Sequence, residues 1–97
     1  MNEVILQLLI REGPQVSLSM FPEQMQREHL IEAGRKMFET NPVKALPYFR
    51  RAGIILYKDK FLELADQYSK MGEKDLAIAI YEAIGEGQVA TFLRSNV

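Results

Sequence analysis

Hydrophobic residues recur along most of this chain at helical spacing, and the residues that interrupt them are helix starters and stoppers. The first run is Val4, Ile5, Leu6, Leu8, Leu9 and Ile10. It follows Asn2, a good N-cap, and ends at Gly13-Pro14, a glycine-then-proline stop. The pattern predicts a helix over 2–12 and an extended connector to residue 21. A hairpin is the competing reading, because Val16, Leu18 and Met20 alternate with Gln15, Ser17 and Ser19 at strand period. An isolated two-stranded hairpin is marginal in water, which favours the helix. Pro22 opens the next helix, with Glu23 near the positive end of its dipole. Leu30, Ala33 and Met37 form one row and Ile31, Gly34 and Phe38 its neighbour, a stripe wide enough to predict packing on two sides. Glu32 and Lys36 pair along the wet side. The helix ends at Thr40-Asn41, since the residue before Pro42 avoids the helical region.

Three further helices follow. One fits 43–56 and turns Leu46, Phe49, Ala52, Gly53 and Leu56 inward. Pro47 would remove one of its internal hydrogen bonds, so this helix either begins later or bends there. The next fits 59–71, with Phe61, Leu64, Ala65 and Tyr68 inward and Gly72 ending it. Another fits 74–84, with Ala77, Ile80, Tyr81 and Ile84 inward and Gly85 ending it. A short last segment, 88–95, offers Val89, Phe92 and Leu93.

Phe61, Leu64, Ala65 and Tyr68, followed by Ala77 and Tyr81, match the spacing of a known helical repeat: large-x-x-Leu-small-x-x-Tyr, then Ala-x-x-x-aromatic. Leu30, Ala33, Gly34 and Met37, followed by Ala45, Phe49 and Ala52, form an earlier copy. Over 27–84 the chain resembles two tetratricopeptide-like repeats. It departs from that pattern in period, with Ala45 to Ala77 spanning 32 residues rather than about 34. No Trp fills the first large position, and Tyr57 and Val89 stand where a closing Pro is usual. The resemblance implies an all-α fold: antiparallel helical hairpins stacked as a short right-handed array, with an N-terminal helix and a short C-terminal cap. In one domain of 97 residues, 1–21 would be the apolar helix and connector, 22–56 and 58–84 the two hairpins, and 86–97 the cap.

Composition narrows the function. Twelve basic and 13 acidic side chains leave a net charge of −1, so no global field draws the chain to nucleic acid or an anionic membrane. With no cysteine there is no disulfide scaffold, thiolate zinc site or cysteine nucleophile, and the composition fits a reducing, cytoplasmic setting. The apolar start is half the length of a membrane span of about 20 residues. Glu3 before it and Arg11-Glu12 after it do not fit a secretory signal.

Three constellations were candidates for chemistry. Gly85-Glu86-Gly87-Gln88-Val89-Ala90 spells a dinucleotide fingerprint, but seven residues remain after Ala90, too few for the rest of a βαβ unit. A helix end and turn are expected there. His29, with Glu28 and Glu32, puts an imidazole and a carboxylate on one helix face, yet the chain has no second histidine. Solvated helix side chains are expected, and a metal-dependent enzyme would need assembly at a homodimer interface. Arg50, Arg51, Lys58 and Lys60 around Tyr57 could hold phosphates and stack a base, giving a nucleic-acid-binding helical domain as the other alternative. Asp59 and Glu63 dilute that charge, so nucleic acid is not the expected partner.

The leading expectation is a non-catalytic scaffold, without cofactor or metal, that binds a protein or peptide. The resemblance implies a concave face made by the first helix of each hairpin. Its positions are Glu28, Ile31, Arg35, Phe38 and Glu39, then Asp59, Leu62, Asp66, Ser69 and Lys70. Arg35 and Asp66 stand where the peptide-carboxylate clamp of that family uses asparagines, so that activity is not implied. The apolar first helix adds a second expectation. If the other helices cannot enclose it, the remaining patch calls for a homodimer through Ile5, Leu8 and Leu9, with exchange of the N-terminal segment as one route.

Overall fold

A computed structural model describes residues 2–95. Met1 and the last two positions of the expected C-terminal cap lie outside the described residues. Within them the chain forms six helices and no strand, and no helix is long and apolar enough to cross a membrane. Residues gather into two compact units, Met1–Ile55 and Leu56–Val97.

The first unit contains α1 (Glu3–Glu12), α2 (Glu23–Thr40) and α3 (Pro42–Ala52). Asn2 caps α1 by accepting from the N–H groups of Val4 and Ile5 at 2.9 and 3.3 Å. Gly13 stops it at a φ of 111°, in the positive region where a side chain is strained. The connector forms no strand, but its alternation has a purpose. Leu18 is buried and Val16 half-buried against the core, while Met20 points outward with 90% of its surface exposed.

The core of this unit is built from Ile5, Leu6 and Leu9 of α1, Leu18 of the connector, Leu30 and Ala33 of α2, and Tyr48 and Ala52 of α3. Half-buried Phe21, Met25 and Met37 close its edges. Val16, Leu18 and Phe21 of the connector add to the core that buries Ile5, Leu6 and Leu9 of α1, while Val4 stays 75% exposed and Leu8 and Ile10 half-buried. Helices α2 and α3 form the principal helix pair, and a Cβ added at Gly34 would lie 2.5 Å from Phe49 Cε1. Glycine is therefore required where the Phe49 ring crosses α2.

Several boundaries differ from expectation. Pro22 is the N-cap of α2, one residue outside the helix, and α3 begins at Pro42 rather than Val43. Pro at the first helical position loses nothing, since that N–H has no partner in a helix. Pro47 does lie inside α3, where it deprives the Val43 carbonyl of its usual donor, yet the helix continues to Ala52. It ends there, not at Leu56. Gly53, expected inside the helix as a small core residue, is exposed in the left-handed region at φ 81°. Its N–H bonds to Arg50 O and that of Ile54 to Phe49 O, the paired closure of a Schellman motif.

The second unit contains α4 (Lys58–Lys70), α5 (Lys74–Ala83) and α6 (Gly87–Ser95). The chain enters α4 through Tyr57 at φ 59°, among the described residues the one non-glycine in the left-handed region. The same Schellman closure recurs after α4 at Gly72 and after α5 at Gly85, as the sequence pattern predicts. Helix α5 packs against both α4 and α6. Phe61, Ala65, Ala77, Ile78, Ile80, Ile84 and Ala90 are buried, and Leu64, Tyr68 and Tyr81 half-buried.

Candidate functional site

His29 is the single histidine of the chain, and the structure places it differently from expectation. It is 1% exposed rather than solvated. Its Nε2 accepts the Asn2 N–H at 3.0 Å, which leaves Nδ1 as the protonated nitrogen donating to Met25 O at 2.8 Å. Both ring nitrogens are thus committed to backbone groups, while Glu28 lies exposed and Glu32 half-buried on α2. Among the described residues no three His, Cys, Asp or Glu side chains stand together as metal ligands.

Two more side chains bind backbone across the first unit. Tyr48 donates its hydroxyl to Leu9 O at 2.6 Å, and that carbonyl also accepts from Gly13 N–H. Burial pushes the Tyr48 phenol above its usual value near 10. Arg51 donates through Nη1 to both Pro14 O and Val16 O, fixing the connector. Asn2 at the start of α1, Leu9 in its last turn and the connector beyond are each tied to the α2–α3 hairpin. Sequence reasoning missed all three ties, because each partner lies 27 to 39 residues away.

These ties also bear on the basic stretch. Arg50 and Arg51 belong to the first unit, Lys58 and Lys60 to the second. Arg51 is spent on connector carbonyls, and Lys58 pairs with Glu86 at 3.3 Å. Arg50 and Lys60 are exposed. The glycine-rich segment is the end of α5, a turn, and the start of α6, the helix-end arrangement expected there. Gly85, Glu86, Gly87, Gln88 and Thr91 line a concavity of about 660 Å³ whose one ionisable side chain is a carboxylate, the wrong sign for a pyrophosphate.

No family model matches the chain, and no curated protein or solved structure matches it either.

The expected partner-binding residues lie as follows. On α2, Glu28, Arg35 and Glu39 are exposed, whereas Ile31 and Phe38 are half-buried between them. Ile31 also rests against the core. On α4, Asp59, Asp66 and Lys70 are exposed and Leu62 and Ser69 half-buried. Asp66 pairs with Lys70 at 3.0 Å, one turn along the helix. Tyr81 of α5 is raised by its burial and by the negative charges of Asp66 and Glu86. Ile5 and Leu9, expected at a homodimer interface, are buried in their own unit, with Leu8 half-buried. Ile5 and Leu9 could meet a second chain only if α1 left its place, whereas Leu8 keeps part of its surface exposed where it stands.

Proposed function

We propose that the chain is a non-catalytic protein–protein interaction module built from two tetratricopeptide-like hairpins, α2–α3 and α4–α5. Its partner is a peptide or helix, and the outward row of α2 and that of α4 are each a candidate contact surface. One observation carries this reading: on both helices, half-buried apolar side chains (Ile31 and Phe38, Leu62) sit between exposed charges of both signs. Apolar anchors within a charged rim are the composition of protein interfaces. The repeat reading gains support from Gly34 against Phe49, a small residue meeting an aromatic where two helices of one hairpin cross. The commitment of His29, Tyr48 and Arg51 to backbone groups is consistent with a structural role for these side chains.

The test is affinity capture with the intact chain beside Arg35→Glu and Asp66→Lys. A partner retained by the wild type and lost from at least one variant, with melts moved by no more than about 0.5 kcal/mol, is the expected result. Retention by both variants would remove these rows from the interface. Equal loss of binding and stability would assign Arg35 to the fold instead.

A further inference from the structure

The solvent side of α3 carries charge of one sign. Its exposed residues are Lys44, Pro47, Arg50 and Arg51, three cations and a proline, and the helix contains no carboxylate. The whole chain has 13 acids against 12 bases, so this face departs from the average surface. Lys44 forms no ion pair among the described residues. Pro47 and Arg51 stand three and seven residues on from Lys44, which puts all three in one row along the helix.

That row borders a concavity of about 260 Å³ within the first unit. Ile10, Pro14, Met37, Pro47 and Tyr48 give it apolar walls, and Arg11, Glu12 and Lys44 are its charged residues. Two polar groups among these are already committed. The Tyr48 hydroxyl is held by Leu9 O, and the Glu12 carboxylate is paired with Arg11 at 3.2 Å. Arg51 binds Pro14 O, so it holds one wall in place, while the side chain stays exposed and keeps its charge. Lys44 is the charge at the rim with no counterpart.

The hole and the row together select a ligand. The volume is below the roughly 300 Å³ at which pockets for drug-sized molecules begin, and suits one large apolar side chain. Lys44 and Arg51 lie about 10 Å apart along the axis, a span of about three extended residues. Single-stranded nucleic acid stacks on exposed aromatic side chains, and the aromatic here, Tyr48, is buried. A membrane is met by apolar side chains that protrude, whereas these line a hole. We propose that this face of α3 binds an acidic peptide in extended form. One large apolar side chain of the peptide enters the concavity beside Met37 and Pro47, and carboxylates before and after it meet Lys44 and Arg51. The surface is separate from the outward rows of α2 and α4, so it can be tested whether or not those rows bind a partner.

The probe is a labelled peptide of two glutamates, one phenylalanine and two glutamates, titrated at low salt with the intact chain up to about 1 mM. Saturable binding is expected, with amide shifts that move around Arg11–Gly13 and at Lys44 and Tyr48. Lys44→Glu should weaken it at least tenfold. Lys60→Glu, the same charge change on an exposed residue of the second unit, should leave it within about twofold. Neither substitution should move the melt, since both residues are exposed. Replacing the phenylalanine of the peptide by serine should also cost at least tenfold. Absence of saturable binding overturns the proposal, as would equal losses in the two variants or indifference to the phenylalanine. Tighter binding of a single-stranded oligonucleotide or of phosphatidylserine vesicles than of the peptide would overturn it too, and would give the face to that class of ligand.

Discussion

In the first unit the polar bonds that shape the structure run from side chains to backbone groups far away in sequence. In the second they run between exposed side chains. Asn2 N–H meets His29, Leu9 O meets Tyr48, and the connector carbonyls meet Arg51. The second unit has Lys58–Glu86, Asp66–Lys70 and Glu82–Arg94, all solvent-facing pairs of the kind that contribute little to stability. The Tyr48 bond to Leu9 O is buried and specifies where α1 docks, because breaking it leaves a buried group with one partner fewer. The Asn2 bond is part-buried and the Arg51 bonds are exposed. The first unit spends its distinctive side chains on closing itself. The second relies on a buried apolar core around Phe61, Ile80 and Ile84 and on three-residue turns.

That contrast can be broken from either side. Gly34→Ala should have the largest effect, since the new methyl would lie 2.5 Å from a fully buried ring. A loss of about 1–3 kcal/mol in urea melts is expected, partly recovered by Phe49→Leu. A neutral Gly34→Ala would mean α2 and α3 separate easily. His29→Leu keeps an apolar core but removes the acceptor for Asn2 N–H. It should cost about 1–3 kcal/mol and speed hydrogen exchange in α1 more than in α3.

Tyr48→Phe tests a single tie, worth about 1 kcal/mol at neutral pH. It also sharpens the comparison under alkali. The folded Tyr48 titrates above the unfolded phenol, so from about pH 10 upward the folded chain holds a proton that the unfolded chain has released. Stability therefore falls with rising pH until the folded phenol also ionises, and the fall should be shallower in Tyr48→Phe. Tyr81, raised for related reasons, keeps some of the slope in that variant. The smallest effect belongs to the second unit: Lys58→Gln should change stability by less than about 1 kcal/mol, and less still at high salt. A larger loss would show that surface pairs hold that unit after all.

Local punctuation was legible in the sequence wherever the cause is local. Gly13-Pro14, Asn41-Pro42, Gly72 and Gly85 stop helices through their own backbone preferences, so the helices are found near their expected limits. Gly53 was misplaced because a glycine serves equally as a close-contact residue, as at Gly34, or as a terminator. Only the tertiary neighbour distinguishes them: Phe49 crowds Gly34, and nothing lies within 4 Å of a Cβ at Gly53. His29 and Arg51 were misjudged for a different reason. Each has charged or polar sequence neighbours and reads as surface, but its decisive partner is a backbone group from the N-terminal segment. The outward rows of α2 and α4 were what the repeat resemblance implied, and helical spacing then fixes which of their side chains share a face. What they bind is set by a second molecule, and no spacing within one chain encodes that.

Hydrogen exchange across the intact chain tests most directly the idea that the N-terminal segment is a closed part of the first unit. Amides of α1 from Leu6 through Leu9 should exchange with α2 and α3 as one cooperative group, slowing and quickening together as denaturant is raised. Those of α6 should open at lower free energy. If α1 exchanged as fast as a frayed terminus while α2 and α3 stayed protected, the ties through His29, Tyr48 and Arg51 would not close the unit, and the account would be contradicted.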